Sequence, residues 1–374
     1  MSAQTILVGD PSCLKLKTVL EGYRCKHFLL VCGSSFNSLA IARHFGDLGI
    51  PYSVFSSFGP NPRYEDVCKG VDFFCKEGCD CIVAVGGGSS IDVAKCIKLF
   101  SSMESGSLYL RQEYKENKVP LIALPTTAGT GSESTRYAVI YYKGEKQSVT
   151  HDSLVPSYAI LEPSVLDGLP PYQKKCTMLD ALCQAIESWW SVNSTPVSRE
   201  YSQQAVALFL EHYNQYLLNT PQANEGMLLA SNWAGRAINI TQTTAPHAMS
   251  YKLTSVFKIP HGHAVAICLP LVWGYMVNNL DKCVDKRGQE YLNAIFEDIS
   301  RMLCNGTPHE AISWFQSLLE KLDIQCPQSK DSKVLEMLVD SVNLERLKNS
   351  PVLLDSVGLA HIYGKIIIQE KYET

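Results

Sequence analysis

Residues 81–95, CIVAVGGGSSIDVAK, hold the pattern that decides the fold. The first five of these residues are apolar without alternation, which is typical of a strand covered on both faces in a parallel sheet. Three glycines and two serines follow, and a helical pattern begins at Ser90. A buried strand that leads through glycines into a helix predicts an α/β unit with a parallel sheet.

The three glycines also suggest a binding site for an anion. Gly86, Gly87 and Gly88 let the backbone approach an anion closely, and the helix that follows offers free N–H groups with a partial positive charge. A pyrophosphate suits such a site. The stretch is neither the G-x-G-x-x-G fingerprint nor a P-loop, because Lys95 lies too deep in the helix. The alternative is a tight turn that needs glycine for its dihedrals alone.

Similar strand and helix patterns surround this unit in the first half of the chain. Strand patterns occur at 27–33, 51–56 and 120–125, and helical patterns at 35–46, 64–76 and 90–100. This alternation predicts a doubly wound α/β domain. Beyond a segment rich in proline and glycine, helical patterns occur at 174–191, 197–218, 224–240, 290–304 and 308–322. We therefore predict an α/β domain at 1–162 and a helical domain at 163–374.

The composition excludes several classes of protein. With 374 residues, 46% hydrophobic and 19% charged, the chain is globular and suits two domains. A formal net charge of -4 argues against nucleic acid as a partner. The N-terminus lacks a secretory signal, and the most apolar run, 264–277, is too short to span a bilayer. We expect a cytoplasmic protein without membrane contact, in which that run is a buried helix. We expect most of its fourteen cysteines to be buried thiols, and the lack of a CxxC pair argues against a thiolate zinc site.

A second polar loop, LPTTAGTGSESTR at 124–136, follows the next strand. It supplies hydroxyls and backbone amides at a strand end, where open α/β sheets place their ligands; these residues are Thr126, Thr127, Gly129, Thr130, Gly131, Ser132 and Thr135. Two such loops from neighbouring strands could converge on one crevice. The alternative is a capped turn before a hairpin. The length and glycine content of the loop favour a ligand.

A candidate metal site is split between two stretches. In LDALCQAIESWW, 179–190, Asp180 and Gln184 lie four residues apart and share a helix face. His247 and His261 follow in HAMSYKLTSVFKIPHGHAVAICLP, 247–270, where the PHG bend could aim His261. One carboxylate and two imidazoles suit Fe(II) or Zn(II), with Gln184 as a weak fourth ligand.

Each of these side chains also has an ordinary structural interpretation. A lone histidine is more often a hydrogen-bonded core or surface residue, and we interpret His151 and His263 in that way. By themselves, Asp180 and Gln184 favour a helix wall, because glutamine is an uncommon ligand. Glu187 lies on the same face, where we expect it to form a salt bridge or to face solvent.

Taken together, GGGSSIDVAK, LPTTAGTGSE, LDALCQAIES and the 247–270 stretch resemble the iron-containing (group III) alcohol dehydrogenase family, in order and in spacing. The similarity covers nearly the whole chain. It implies a dinucleotide-binding α/β domain, an all-α C-terminal domain of the dehydroquinate synthase-like fold, and a cleft for NAD(P) and a divalent metal. It also implies a small aldehyde or alcohol as substrate, and the family commonly forms homodimers.

The resemblance assigns roles residue by residue. The pyrophosphate would be held by Gly87, Gly88 and Ser89. The rest of the nucleotide would contact Thr126, Thr127 and Thr135, together with Gly33, Asp92 and Ser132 and, as weaker matches, Asn61 and Lys146. The metal would be held by Asp180, Gln184, His247 and His261, and the catalytic residues would be His247 and Tyr251.

Three positions depart from the family pattern. Gln184 stands where the family normally has a histidine ligand, and an amide donates less strongly than an imidazole. Tyr251 stands where a histidine usually assists proton transfer; an unperturbed tyrosine has a pKa of ~10 against ~6.5 for histidine. Proton delivery through water or another group is therefore an alternative. Gly33 stands where many NAD-preferring members have an aspartate, so NADPH is permitted beside NADH.

Within the family, the chain looks most like the phosphonoacetaldehyde reductase (2-hydroxyethylphosphonate dehydrogenase) branch. That resemblance implies Lewis-acid polarisation of an aldehyde carbonyl at the metal and hydride transfer from reduced nicotinamide. A phosphonate needs basic partners, and Arg136 and Lys252 lie beside the relevant motifs, although either could be a solvated surface cation. The alternatives are a general alcohol dehydrogenase of this family, a dehydroquinate-synthase-like lyase, and a lapsed enzyme that binds cofactor only.

Overall fold

The structure, a computed structural model, describes residues 4–9, 12–329, 331 and 333–367. The strands are β1 (Thr5–Val8), β2 (Phe28–Cys32), β3 (Tyr52–Phe55), β4 (Cys81–Gly86), β5 (Leu121–Pro125), β6 (Tyr137–Tyr142), β7 (Glu145–Thr150) and β8 (Tyr158–Leu161). The α-helices of the first part are α1 (Ser12–Gly22), α2 (Tyr64–Glu77) and α3 (Gly88–Phe100). Those that follow are α4 (Pro171–Trp190), α5 (Pro196–Leu217), α6 (Pro221–Thr241), α7 (Ala245–Phe257), α8 (His261–Asn278), α9 (Gln289–Cys304), α10 (Pro308–Lys321), α11 (Lys333–Asp340), α12 (Leu344–Leu347) and α13 (Ser356–Ile366).

Six of the strands form one parallel sheet in the order β1-β8-β5-β4-β2-β3. Every residue of β2, β4 and β5 is buried, which explains why these strands read as continuous apolar runs. The predicted strands at 27–33, 51–56, 81–88 and 120–125 are confirmed. β1 and β8 were not among the predicted strands. The fold class is an α/β domain with a parallel sheet, followed by a helical domain.

The helix predicted at 35–46 is wrong as an α-helix. The segment consists of short 3-10 turns at Ser34–Ser38, Ala40–His44 and Gly46–Leu48. Leu39 is extended between the first two turns, with φ -77° and ψ 139°. The Ser38 hydroxyl donates to the carbonyl of Ser35 at 2.6 Å, and this local bond competes with a regular helix.

The C-terminal part is helical, and its central helices are buried. In α4, every residue from Cys176 to Trp190 is buried, so this part of the helix has no face exposed to solvent. The apolar run at 264–277 lies in α8, which confirms the predicted buried helix and contains Pro270. Among the helices in the described ranges, none is long and apolar enough to cross a membrane. The fourteen cysteines are free thiols, and half of them are buried.

The chain forms two compact units. The first contains the described residues up to Pro170 together with Asn214–Gly235; the second contains Pro171–Tyr213 and the described residues from Arg236 onward. Residues 214–235 join the first unit through close packing. A Cβ on Gly235 would lie 2.5 Å from the carbonyl oxygen of Gly131, and Asn232 donates to the Glu133 carboxylate at 3.2 Å. The domain boundary at 162/163 stays a prediction about sequence domains, and the compact units follow different limits.

Candidate metal and nucleotide sites

The three glycines between β4 and α3 differ in whether the structure requires glycine at their position. Gly86 has φ +155°, and a Cβ there would lie 2.3 Å from the Ser90 hydroxyl oxygen. A Cβ on Gly88 would be tight against Thr130, at 3.1 Å. Gly87, in contrast, has an ordinary extended backbone, and its Cβ would make only normal contacts of 3.4 Å with Thr127. Packing and dihedrals therefore account for Gly86 and Gly88, but they do not require glycine at Gly87.

Gly87 is also the N-cap of α3, so no side chain caps this helix. The N–H groups of Ser90 and Ile91 bond back to the Gly87 carbonyl, at 3.1 Å and 3.3 Å. The first N–H groups of a helix have no intrahelical partner, and they carry a partial positive charge. A glycine that packing does not require, at an uncapped helix start, fits an anion that approaches the backbone closely.

The loops after β2, β4 and β5 converge, as the sequence predicts for neighbouring strand ends. The Thr126 N–H donates to the Gly86 carbonyl at 3.0 Å, and Thr127 faces Gly87. A Cβ on Gly33 would lie 3.8 Å from the Ser90 hydroxyl oxygen. The structure thus brings together one subset of the predicted nucleotide residues, namely Gly33, Gly87, Gly88, Thr126 and Thr127, with Ser89 in the first turn of α3. Their roles in binding stay predictions.

A second subset of those residues forms a network around Lys95. The fully buried ammonium of Lys95 donates to the hydroxyl of Ser132 and to both the carbonyl and the hydroxyl of Thr135, at 2.7–3.2 Å. Ser132 in turn donates to the Asp92 carboxylate at 2.6 Å, and that carboxylate also accepts from the Val139 N–H. Burial lowers the pKa of Lys95 to about 8, although Asp92 and Glu133 favour its charged form. These contacts hold the 126–135 loop against α3.

The remaining nucleotide and substrate predictions lie in less constrained places. Asn61 is exposed in the loop after β3, with φ +56°. Lys146, on β7, is close enough to Asp92 to favour its charged form. The Arg136 guanidinium pairs with the Asp152 carboxylate at 3.2 Å. The polar loop does precede a hairpin, formed by β6 and β7, so the structural alternative accounts for part of its hydroxyl content.

The second unit gathers the predicted metal-binding side chains. Asp180 lies on α4, His247 in the first turn of α7, and His261 is the first residue of α8. Asp180 Oδ1 is 3.3 Å from His247 Nε2 and 4.0 Å from His261 Nε2. One donor atom from each of the three residues lies within 4.8 Å of the others.

This donor set fits a small divalent ion. Ligand atoms at about 2.1 Å from a shared tetrahedral ion lie roughly 3.4 Å from one another, near the separations observed here. Asp180 Oδ1 and His247 Nε2 are buried, and neither makes a hydrogen bond in the part of the chain that is described. Buried polar atoms are normally satisfied. A carboxylate and two imidazoles are suitable ligands for Fe(II) or Zn(II).

Glu187 was expected to form a salt bridge or to face solvent; it forms the ion pair and is fully buried. One carboxylate oxygen bonds to Nδ1 of His247, and the other accepts from the Thr244 N–H and hydroxyl, at 2.7 Å and 2.8 Å. With Nδ1 bonded to Glu187, Nε2 faces Asp180 and is the ring atom that could bind a metal once the ring has lost its second proton. From the sequence, only the i+7 spacing between Asp180 and Glu187 is evident, and this spacing does not reveal a contact with α7.

The cluster is strongly electronegative. Burial alone would lower the pKa of His247, but the charges and hydrogen bonds of Glu187 and Asp180 raise it to about 9. Burial would likewise raise the pKa of Asp180, but the neighbouring imidazoles of His247 and His261 hold it below its usual value. The two carboxylates that favour a protonated imidazole would also attract a metal cation.

Two further predicted residues lie beside this cluster. Gln184 is buried and hydrogen-bonds to the Asp180 carboxylate. The Tyr251 ring stacks on the His261 ring, with centroids 5.6 Å apart and planes within 2°. The Tyr251 hydroxyl accepts a hydrogen bond of 2.7 Å from Arg346 on α12, a residue that the sequence did not single out. The roles of Gln184 as a ligand and of Tyr251 in catalysis stay predictions.

Other candidate ligands have ordinary partners. His263 bonds to the Tyr172 hydroxyl at 2.7 Å and the Gln325 carbonyl at 2.8 Å, and His151 caps the turn at Ser153, as predicted for both histidines. Lys252 is partly buried on α7. A second group of ligand-type side chains comprises Cys25, Asp80 and Cys81. Asp80 already accepts backbone N–H groups at 3.0–3.3 Å, and the argument against a thiolate zinc site stays a prediction.

Comparison with known proteins identifies the family. The profile described as iron-containing alcohol dehydrogenase matches residues 3–163, and that of the Fe-containing alcohol dehydrogenase family, C-terminal, matches residues 175–333. The phosphonoacetaldehyde reductase of Streptomyces viridochromogenes is 31% identical over 301 residues, which are 76% of this chain and 76% of that protein.

Two further relatives agree with this assignment. The probable alcohol dehydrogenase EutG of Salmonella typhimurium is 36% identical over 241 residues, 63% of this chain, and the match spans 61% of the length of that relative. The crystal structure of sulfoacetaldehyde reductase from Bifidobacterium kashiwanohense, in complex with NAD+, has a TM-score of 0.87 at 26% identity and covers 98% of this chain and 97% of that one. The chain is a member of the iron-containing alcohol dehydrogenase family.

Proposed function

We propose that the chain catalyses the NAD(P)H-linked, metal-dependent reduction of a small aldehyde to a primary alcohol, with phosphonoacetaldehyde reduced to 2-hydroxyethylphosphonate. The observation that carries the proposal is the donor set of Asp180, His247 and His261, in which Asp180 and His247 are buried and His261 is partly exposed. A buried carboxylate oxygen of Asp180 and a buried imidazole nitrogen of His247, both without a hydrogen bond among the described residues, are costly for a protein that uses them only as core.

In this proposal, different residues of the chain have different roles in the reaction. Glu187 orients His247, so that Nε2 points toward the Asp180 carboxylate. Gly87 leaves the start of α3 open to a pyrophosphate. Tyr251, stacked on His261, carries a hydroxyl from which a proton can pass to the substrate oxygen, directly or through water. A bound Fe(II) or Zn(II) would supply Lewis-acid polarisation of the carbonyl, and NAD(P)H would supply the hydride.

Two relatives support an aldehyde with an anionic headgroup, since one is named for phosphonoacetaldehyde and another for sulfoacetaldehyde. We propose Arg136 and Lys252 as contacts for that headgroup. The Arg136→Ala variant tests the first of them. If its preference for phosphonoacetaldehyde over a neutral aldehyde matches that of the wild type, Arg136 has no part in recognition.

The activity is tested by following the absorbance of NADH and NADPH with phosphonoacetaldehyde and with butanal, in metal-replete and chelator-treated protein. We expect cofactor consumption with aldehyde, lost on chelation and restored by Fe(II) or Zn(II). A lyase would keep its nicotinamide without net turnover, and a lapsed enzyme would bind cofactor but consume none. Absence of turnover with every aldehyde in the metal-replete protein contradicts the proposal.

A further inference from the structure

Arg346 is a cation beside the metal cluster, and no acidic residue in the described part of the chain pairs with it. It lies on α12, which packs against α7, and its guanidinium donates to the Tyr251 hydroxyl at 2.7 Å. In the described ranges no carboxylate lies within ion-pair distance of it. The neighbouring Glu345 is bound instead by Lys348, at 2.7 Å.

Other arginines of the same unit are used differently. Arg287 pairs with Asp285 at 2.6 Å and donates to the Ser191 carbonyl, while Arg301 pairs with Asp298. Arg346 uses one N–H for Tyr251, and a guanidinium has five such donors in a planar fork. Its remaining donors can therefore serve another acceptor.

The position of Arg346 connects it to the reaction centre. Its guanidinium carbon is 5.0 Å from the Tyr251 ring centroid, and that ring is stacked 5.6 Å from the His261 ring. Laid end to end these distances give about 10.6 Å, so the guanidinium lies no farther than that from the His261 imidazole.

A separation up to this limit can accommodate a two-carbon aldehyde with a terminal oxyanion. A distance of about 2.1 Å would separate a bound metal from the carbonyl oxygen of the substrate. The substrate itself spans roughly 5 Å from that oxygen to its terminal oxyanion, and a charge-assisted hydrogen bond to the guanidinium adds about 2.8 Å. Together these lengths reach from an ion at the donor cluster to a cation about 10 Å away. A planar fork of N–H donors is suited to bidentate contact with two oxygens of such a group.

We propose that Arg346 binds the anionic headgroup of the substrate, a phosphonate or sulfonate, and so determines the preference for acidic aldehydes. This inference rests on the proposed reductase function. Arg346 acts beside Tyr251, whose hydroxyl it holds, and it is a specificity-determining residue rather than a source of the reaction's hydride or proton.

The test compares Arg346→Gln with the wild type on two aldehydes of the same shape, phosphonoacetaldehyde and the neutral 3,3-dimethylbutanal. Glutamine can still donate a hydrogen bond to the Tyr251 hydroxyl, but it lacks the positive charge and the planar fork of N–H donors of arginine. We expect kcat/KM for phosphonoacetaldehyde to fall about 10- to 100-fold, and kcat/KM for the neutral aldehyde to change less than about threefold. Sulfoacetaldehyde, as a third substrate, shows whether the site distinguishes a sulfonate from a phosphonate. Lys348→Gln, an exposed cation in the same segment, is the control and should change neither value.

Equal losses on charged and neutral aldehydes would show that Arg346 acts only through Tyr251, and no loss on either would exclude it altogether; both results overturn the inference while leaving the reductase function intact. Binding of 2-hydroxyethylphosphonate, measured by calorimetry, gives a readout that needs no turnover. We expect its affinity to fall in Arg346→Gln and to stay unchanged in Lys348→Gln. Equal affinity in Arg346→Gln and the wild type also contradicts the assignment, whereas a wild type that reduces no aldehyde contradicts the proposed function.

Discussion

Single residues of the metal cluster differ in how far the sequence could predict them. Asp180, His247 and His261 are of ligand type, and the structure brings them together. Glu187 could not be predicted as the partner of His247, because its contact depends on how α4 packs against α7 rather than on spacing along α4. Arg346 was missed for the same reason, since it reaches Tyr251 from 95 residues away in the chain.

The contact between Glu187 and His247 predicts a loss of metal affinity on substitution. Glu187→Gln retains the size of the side chain and one acceptor but removes the negative charge that orients and polarises the imidazole. Changes of this kind typically cost about 10- to 100-fold in metal affinity. Competition with a chelator of known affinity measures the effect. Glu211→Gln, at an exposed carboxylate, is the control, and equal metal affinity in both variants would exclude this role.

Lys95 predicts a distinctive dependence of stability on pH. Lys95→Met removes the donors that satisfy the Thr135 and Tyr137 carbonyls and leaves Asp92 without its nearby cation, so we expect a loss of about 3 kcal/mol. Because burial lowers the pKa of folded Lys95 to about 8, the unfolded chain binds more protons between pH 8 and its ordinary pKa. The wild type therefore gains stability relative to Lys95→Met as pH rises through this range.

Urea unfolding of both proteins at pH 7.5 and pH 9.5 measures this difference, and taking the difference cancels groups that titrate equally in both. Lys348→Met, at an exposed lysine, should behave as the wild type does. If the difference in unfolding free energy between the wild type and Lys95→Met shrinks toward high pH, the pKa of the buried Lys95 amine is not lowered.

Among the secondary-structure elements, those buried on both faces were predicted best. β2, β4 and β5 read directly as strands because each is apolar throughout. The 35–46 segment failed because a helical hydrophobic period does not distinguish an α-helix from successive 3-10 turns when serine bonds to the local backbone. The glycine loop is predicted as an anion site, and that stays a prediction; the packing adds that Gly87 is the glycine for which neither contacts nor dihedrals require glycine.

In the connection between β4 and α3, substitutions of two adjacent glycines are expected to affect different properties, cofactor binding in one case and stability in the other. Gly87→Ala should fold normally, because its backbone is extended and its Cβ has room, but it should weaken NADPH binding at least about tenfold by filling the helix start. Gly86→Ala should lose about 2 kcal/mol of stability, because of its positive φ and the contact with Ser90.

Fluorescence titration with NADPH and urea unfolding measure both properties in both variants. If Gly87→Ala binds NADPH as the wild type does, the anion site does not lie at this helix start.

The crossing of α4 and α8 makes a further prediction. A Cβ on Gly262 would lie 1.9 Å from the Cys176 carbonyl oxygen, so Gly262→Ala must displace α8 and, with it, the adjacent His261. We expect about 1–3 kcal/mol of lost stability together with weaker metal binding. Gly274 lies on the same helix with open space around it, so Gly274→Ala should leave the free energy of unfolding unchanged or raise it by up to about 1 kcal/mol. Thermal unfolding and metal titration check both, and a tolerated Gly262→Ala would show that the crossing can relax.

At the scale of the whole molecule, the two kinds of predicted site belong to different units. The predicted nucleotide residues lie in the first unit, and the metal donors lie in the second. The sequence could propose both sets because each is concentrated in short motifs, and it predicted the fold class from the change of pattern beyond the segment rich in proline and glycine. It could not predict that residues 214–235 join the first unit, because that grouping depends on contacts such as Asn232 with Glu133.

The central claim is that Asp180, His247 and His261 hold the divalent ion on which aldehyde reduction depends. Metal analysis of purified protein after reconstitution with Fe(II) or Zn(II), beside Asp180→Ala and Gln184→His, tests it most directly. We predict about one ion per wild-type chain, little or none in Asp180→Ala, and tighter binding in Gln184→His because imidazole is the stronger donor. A wild-type chain that binds no ion, or an Asp180→Ala variant that binds as much metal as the wild type, would contradict the account.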